Sequence, residues 1–366
     1  MRGRVTHHHS RSAVRGAVAL VLATTSLGCA RRATPAPVPV AAAACTFANP
    51  LAPGADPWVV RRDSVYYYVQ SHDRRIWISR SSRLTDVFTA PARAVWSAPD
   101  TGWNRTNVWA PELHFINGRW YIYYAAGRAG PPFTSQHAGV LQSESDEALG
   151  RWNDRGPIYT GDSVGTGTGD RWSIDMTVGR IAGRYYAVWS GWAQRATTDK
   201  TPQQLYIAPL ENPWTISTNR VLLSAPDAAW ERGPELDLQE GPEFLQRDGT
   251  VFVVYSTRDS WLKEYALGQL RLRDTTANPL DPSNWTKTGP VFTGNAEVFG
   301  VGHASFVTTP DGSQHWIVYH SKDAPTPGWR RSVRMQPFDW TAAGDPAFGA
   351  AATSAARLPV PRGECR

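Results

Sequence analysis

The segment Gly118-Arg119-Trp120-Tyr121-Ile122-Tyr123-Tyr124 decides the fold, because its pattern returns four more times. A turn residue leads into β-branched and aromatic side chains, the pattern of the second strand of a hairpin. The other copies are Asp63-Ser64-Val65-Tyr66-Tyr67-Tyr68-Val69, Gly183-Arg184-Tyr185-Tyr186-Ala187-Val188-Trp189, Gly249-Thr250-Val251-Phe252-Val253-Val254-Tyr255 and Gly312-Ser313-Gln314-His315-Trp316-Ile317-Val318-Tyr319. Ahead of each lies a shorter strand with one distinctive polar residue: Asp56, Glu112, Asp175, Glu240 and His303, spaced by 56, 63, 65 and 63 residues. This period predicts an all-β fold, a five-bladed β-propeller of four-stranded antiparallel blades. The first strand of each blade would line the central axis, and the second would follow it through a hairpin.

Five first strands converging on one axis bring those polar residues into one funnel. Asp and Glu also cap turns and blade junctions. Four acids and a His at matching places in repeats that otherwise vary point instead to a functional cluster. Strand alternation predicts that Glu243, three residues past Glu240, points away from it. Glu112 reads as structural or as a residue supporting the site. Among the 17 Trp, Trp109 and Trp189 are candidate aromatic platforms for a ligand ring, while most of the others must be blade core.

Several function classes drop out. The net charge of +6 comes from six leader arginines (Arg2, Arg4, Arg11, Arg15, Arg31, Arg32), leaving residues 45–366 neutral. A neutral body has no electrostatic footprint for nucleic acid. No apolar run reaches the length of a membrane span. Gly165-Thr166-Gly167-Thr168-Gly169 follows no βα unit and reads as a loop beside the funnel. Neither a Cys/His zinc pattern nor a Gly-x-Ser-x-Gly elbow is present.

Residues 1–28 read as an export signal of lipoprotein type, with Cys29 as the lipid-bearing residue after Leu27-Gly28. Ordinary cleavage near residues 41–44 is the alternative. Residues 29–44 are a Pro- and Ala-rich linker, and residues 45–366 form the propeller domain. Cys45 and Cys365 sit at its two ends. Ring closure would bring them together, and export would supply an oxidising compartment for a disulfide.

With these residues in view, the chain resembles glycoside hydrolase family 43. The resemblance rests on Ala55-Asp56-Pro57, Trp109-Ala110-Pro111-Glu112-Leu113-His114, Ser173-Ile174-Asp175, Glu240-Gly241-Pro242-Glu243 and Gly302-His303, in family order. It covers roughly residues 46–355. Val188-Trp189-Ser190-Gly191-Trp192 and Arg331-Ser332-Val333-Arg334-Met335-Gln336 look like the exo-acting α-L-arabinofuranosidase branch. The resemblance implies an inverting hydrolase, with Asp56 as general base and Glu240 as general acid. Asp175 would orient Glu240 and keep its pKa high. Arg331 matches a substrate-site arginine. His303 would bind substrate or anchor an axial ion, calcium or another, and Ala304 stands beside it where the family often has Asn. No cofactor is required. The implied substrate is an arabinose-containing polysaccharide or oligosaccharide, acted on by an exported monomer that touches membrane only through its lipid. Endo-arabinanase, β-xylosidase and a non-catalytic carbohydrate-binding propeller are the alternatives.

Overall fold

The computed structural model describes residues 45–166 and 168–365. The proposed leader, the linker and Cys29 lie outside the described residues. Five antiparallel sheets follow one another along the chain. Their innermost strands are Trp58–Arg62, Thr106–Ile116, Ser173–Ile181, Gln239–Arg247 and Phe299–Thr308. Each repeat segment of the sequence lies in the second strand of its blade: Val65–His72, Arg119–Gly127, Arg184–Gly191, Thr250–Thr257 and His315–Lys322.

The middles of those second strands are aromatic and aliphatic because both of their faces are buried there. Tyr66 and Tyr68 pack towards blade 5 with Trp316 and Met335, while Val69 packs towards blade 2 with Leu113 and Ile122. In blade 3, Ala187 and Trp189 meet Tyr123 and Val140 of blade 2, and Tyr186 and Val188 meet Val253 and Tyr255 of blade 4. The core is therefore a ring of inter-blade layers.

The ring closes on itself. Ala52–Pro53, ahead of blade 1, pairs with Arg331–Trp340 of blade 5, with Pro53 opposite Ser332. Thr46–Phe47 pairs with Leu358–Pro359. Cys45 and Cys365 are joined by a disulfide, their Cα atoms 5.4 Å apart. The Glu364 carboxylate accepts the backbone N–H groups of Leu84 and Thr85 at the start of the short helix Leu84–Val87.

Every innermost strand takes a left-handed residue as it enters the funnel, and those of blades 2 and 5 carry a second, Asn107 and Gly300. The five at the common position are Asp56, Ala110, Asp175, Gly241 and His303, with φ between 41° and 53°. In blades 2 to 5 the pairing register slips there. Trp109, Ile174, Glu240 and Gly302 pair before the slip, and Glu112, Thr177, Glu243 and Ser305 after it. The extra residue is a β-bulge, a common device for re-aiming side chains beside active sites. It also corrects the repeat register. Asp56, Asp175 and His303 are equivalent, but Glu240 stands one residue before its bulge and Glu112 two after. In blade 4 the bulge residue is glycine because a Cβ on Gly241 would lie 3.0 Å from the His303 ring. At Asp56, Asp175 and His303 a side chain occupies this costly backbone region, as strained functional residues do.

Candidate active site

A cavity of about 470 Å³ opens at the bulge end of the axis. Asp56, Asp175, Glu240, His303 and Arg331 line it, so the bulges bring together four of the five polar positions found in the repeats. Glu112 is absent from its lining.

Asp56 is held from the end of the chain. Its Oδ1 lies 3.2 Å from His303 Nδ1, 3.3 Å from His320 Nδ1 and 3.3 Å from Arg331 Nη1. Its backbone N–H donates to His320 Nδ1 at 3.1 Å, which secures the left-handed backbone. Burial pushes the carboxyl pKa up, but the Arg331 guanidinium, first among the groups that oppose it, holds the carboxyl well below the carboxylate range. Burial lowers both histidines, His320 to about 4, so each is neutral at pH 7. Arg331 is the cation of the group. Arg331 Nη1 and His303 Nδ1 can donate to Oδ1, whereas His320 Nδ1, already accepting the Asp56 backbone N–H, cannot.

Glu240 has the opposite surroundings. Its Oε1 accepts the Tyr265 hydroxyl at 2.9 Å. Burial raises its pKa to about 7; the Tyr265 bond opposes this and the Asp56 charge adds to it. Asp175 is also pushed up, first by burial and then by Glu240 and Asp56. Its Oδ2 accepts the backbone N–H of Gly241 at 3.0 Å, so it grips the Glu240 strand through the main chain. Burial leads in raising Glu240, and Asp175 and Glu240, both buried, oppose each other's ionisation.

Glu112 and Glu243 lie one step further along the axis, outside the cavity lining. Thr177 Oγ1 donates to Glu243 Oε2 at 3.4 Å, and Glu112 Oε2 is 3.0 Å from His114 Nε2. Burial raises both carboxyls. Glu243 does stay out of the cavity, but not by strand alternation. The bulge consumes one residue, so Glu240 opposite Ser256 and Glu243 opposite Val254 fall on the same strand face.

The walls are aromatic. Trp109 meets Phe133 edge-on at 4.9 Å, and Trp172 stacks flat on Trp192 at 4.4 Å. Trp261 and Trp329 sit 5.4 Å apart, with Lys200 Nζ 4.1 Å from the Trp261 ring centre. Trp329 is 62% exposed. The structure corrects the reading of Trp189 as a sugar platform. That side chain is 0% exposed, packed between blades 2 and 3, so no ligand face remains. The sequence reading missed His320, Tyr265, Trp172, Trp261 and Trp329. None falls at a repeated position of an innermost strand, so the period carries no signal for them.

The surroundings of His303 do not fit a hard cation, which takes six or more oxygen ligands. Its neighbour is Ala304, and the Asp56 oxygen facing it is already shared with Arg331 and His320. Among the described residues no group of three or more His, Cys, Asp or Glu side chains gathers to hold a metal.

A cavity with one ionised and one protonated carboxyl, walled by indole rings on a five-bladed propeller, defines a glycoside hydrolase. The chain matches the family described as "Glycosyl hydrolases family 43" over residues 47–346 and belongs to it. Enzymes of this family need no cofactor. The chain is 34% identical to the extracellular exo-α-(1→5)-L-arabinofuranosidase of Streptomyces avermitilis, over 91% of this chain and 68% of that one. It is 32% identical to the enzyme of the same name from Streptomyces chartreusis, over 85% and 91%. It is 34% identical to α-L-arabinofuranosidase 43 of Humicola insolens, of whose length it spans 62%. Among solved structures, the α-L-arabinofuranosidase from Lactobacillus brevis superposes with a TM-score of 0.76 at 30% identity, covering 85% of this chain and 98% of the other.

Proposed function

We propose that this protein is an inverting exo-glycosidase that releases terminal α-L-arabinofuranosyl residues from arabinan, arabinoxylan or their oligosaccharides. The observation that carries the reading is the opposed protonation of Asp56 and Glu240 in one cavity. Inversion needs a carboxylate on one face of the sugar and a carboxylic acid on the other. Asp56 takes a proton from water as the water oxygen bonds to the anomeric carbon. The bond to the leaving oxygen breaks, and that oxygen takes the Glu240 proton. The proton then returns from Asp56 to Glu240 through solvent. Arg331 keeps Asp56 ionised, and Asp175 fixes the Glu240 strand. Indole faces pack against the C–H groups of sugars, and Trp329 at the mouth is suited to the leaving-group sugar. The arabinofuranosyl specificity rests on the relatives' names.

Hydrolysis of 4-nitrophenyl α-L-arabinofuranoside, 4-nitrophenyl β-D-xyloside and linear arabinan tests the substrate. Release of arabinose and 4-nitrophenol from the first, and of arabinose as the only small sugar from the third, is expected. Shortened arabinan chains would mark an endo-arabinanase, preference for the xyloside a β-xylosidase, and binding without turnover a non-catalytic propeller. Proton NMR should show inverted configuration in the first-formed sugar; retention would overturn the mechanism.

Export is part of the proposal. It is supported by the disulfide and by the extracellular naming of two relatives. No helix among the described residues is long and apolar enough to cross a membrane. Lipidation at Cys29 predicts that the mature protein partitions into detergent and that Cys29→Ser abolishes this. A monomer is expected in light scattering.

A further inference from the structure

Glu240 and Asp56 stand on different blades, and two side chains outside the repeats connect them. Tyr265 immediately precedes the blade 4 strand Ala266–Leu272, and His320 belongs to the second strand of blade 5. Both are buried, and their rings stack with centroids 5.5 Å apart and planes 3° from parallel. At one end of the stack the Tyr265 hydroxyl donates to Glu240 Oε1 at 2.9 Å. At the other, His320 Nδ1 accepts the backbone N–H of Asp56. The fold clears space for this pair: His320 is opposite Gly302, and a Cβ there would lie 2.2 Å from Tyr265 Cε1.

A hydroxyl donating to Oε1 occupies that oxygen whether or not Glu240 is ionised. Holding Oε1 in this way favours Oε2 as the seat of the transferable proton, with Ser260 the other hydroxyl bonded to this carboxyl. We propose that Tyr265 is a positioning residue that biases the acid proton of Glu240 towards Oε2 and, through its stack on His320, fixes the acid against the base. The proposal rests on the reading of Glu240 as the general acid. The other groups facing Glu240 are Asp56, Asp175, Arg331 and Ser260, and Tyr265→Phe leaves all of them in place.

Tyr265→Phe keeps the ring and its stack while removing the donor. A hydrogen bond to the ionised form lowers an acid's pKa, so its loss should move the basic limb of the kcat/KM profile up by about 0.5–1 pH unit. The proton then divides between two oxygens. We expect kcat on arabino-oligosaccharides to fall about tenfold, and on 2,4-dinitrophenyl arabinofuranoside by less than about twofold, because that leaving group needs little protonation. In a Glu240→Gln background the same change should add no further leaving-group dependence. If Tyr265→Phe fails to fold, 3-fluorotyrosine at position 265 retains the shape and donates more strongly, and should move the basic limb down.

An unmoved basic limb, or equal losses on both substrates, would overturn the role of Tyr265. Glu240→Gln alone separates the two claims. If it loses oligosaccharide and activated substrate equally, the acid assignment fails. If it discriminates between them and Tyr265→Phe does not, only the Tyr265 proposal fails.

Discussion

The cavity is made of two halves that treat the same chemical group in opposite ways. Asp56 is set among nitrogens, one of them a guanidinium, and is ionised at any working pH. Glu240, 9% exposed, has a phenol as its hydrogen-bond partner and keeps its proton up to about pH 7. Both carboxyls are pushed upward by burial, so burial does not divide the roles. The cation does: Arg331 contacts Asp56 directly and acts on Glu240 only as a lesser influence. Each half also supports the other, since the ionised Asp56 helps hold the proton on Glu240.

Removing the base should have the largest effect. Asp56→Asn should lower kcat by about 10³–10⁴-fold, at the upper end of the range for general acid–base groups. Calorimetry should find arabino-oligosaccharide binding largely intact. A loss under tenfold would return Asp56 to a structural role.

Glu240→Gln should cost about 10²–10³-fold on oligosaccharides. Its effect on stability has the opposite sign. A carboxyl whose folded pKa is raised from 4.5 to about 7 favours the folded state below 4.5, and that advantage is lost as pH rises through 7. At pH 8 the Gln variant should therefore melt higher than the parent, with no such gain at pH 4. Equal melting temperatures at pH 8 would show that Glu240 ionises freely.

Arg331→Met removes the cation that separates the halves. The Asp56 pKa should rise towards the ordinary carboxylate range, so that an acidic limb absent from the parent's rate profile enters the working pH range. A rate profile that stays flat on the acid side would mean that Arg331 is not the group that keeps Asp56 ionised.

The smallest effect on rate should follow from Cys45→Ser. Disulfides typically contribute about 2–4 kcal/mol, so the melting temperature should fall. The bridge lies at the paired chain ends, and kcat per folded molecule should stay within about twofold of the parent. A large loss of kcat would tie the seam to the cavity more tightly than the contacts suggest.

The fold was legible because its period is carried by buried second strands, where both faces demand apolar side chains. Asp56, Asp175 and His303 were legible as repeated polar residues. The bulges are not: one left-handed residue leaves no mark on an alternating pattern, so the repeat period puts Glu112 two positions past its bulge and plain alternation puts Glu243 on the wrong strand face. Trp189 shows the limit of composition. Alternation assigns it a face with Ala187, but nothing in the sequence says that blade 2 covers that face. Tyr265 and His320 act through one stacked contact between blades, which no local pattern encodes.

Strand Ala52–Pro53 joins the last blade just before Asp56, and the backbone N–H of Gly54 donates to the Arg331 carbonyl at 3.0 Å. The base is thus among the earliest residues of the domain to leave the ribosome, while His303, His320 and Arg331 are among the last. A nascent or truncated chain lacking blade 5 holds Asp56 without the groups that keep it ionised and in place. Hydrolytic competence thus arrives in the final step of ring assembly, and turnover reports directly on whether the circle has closed.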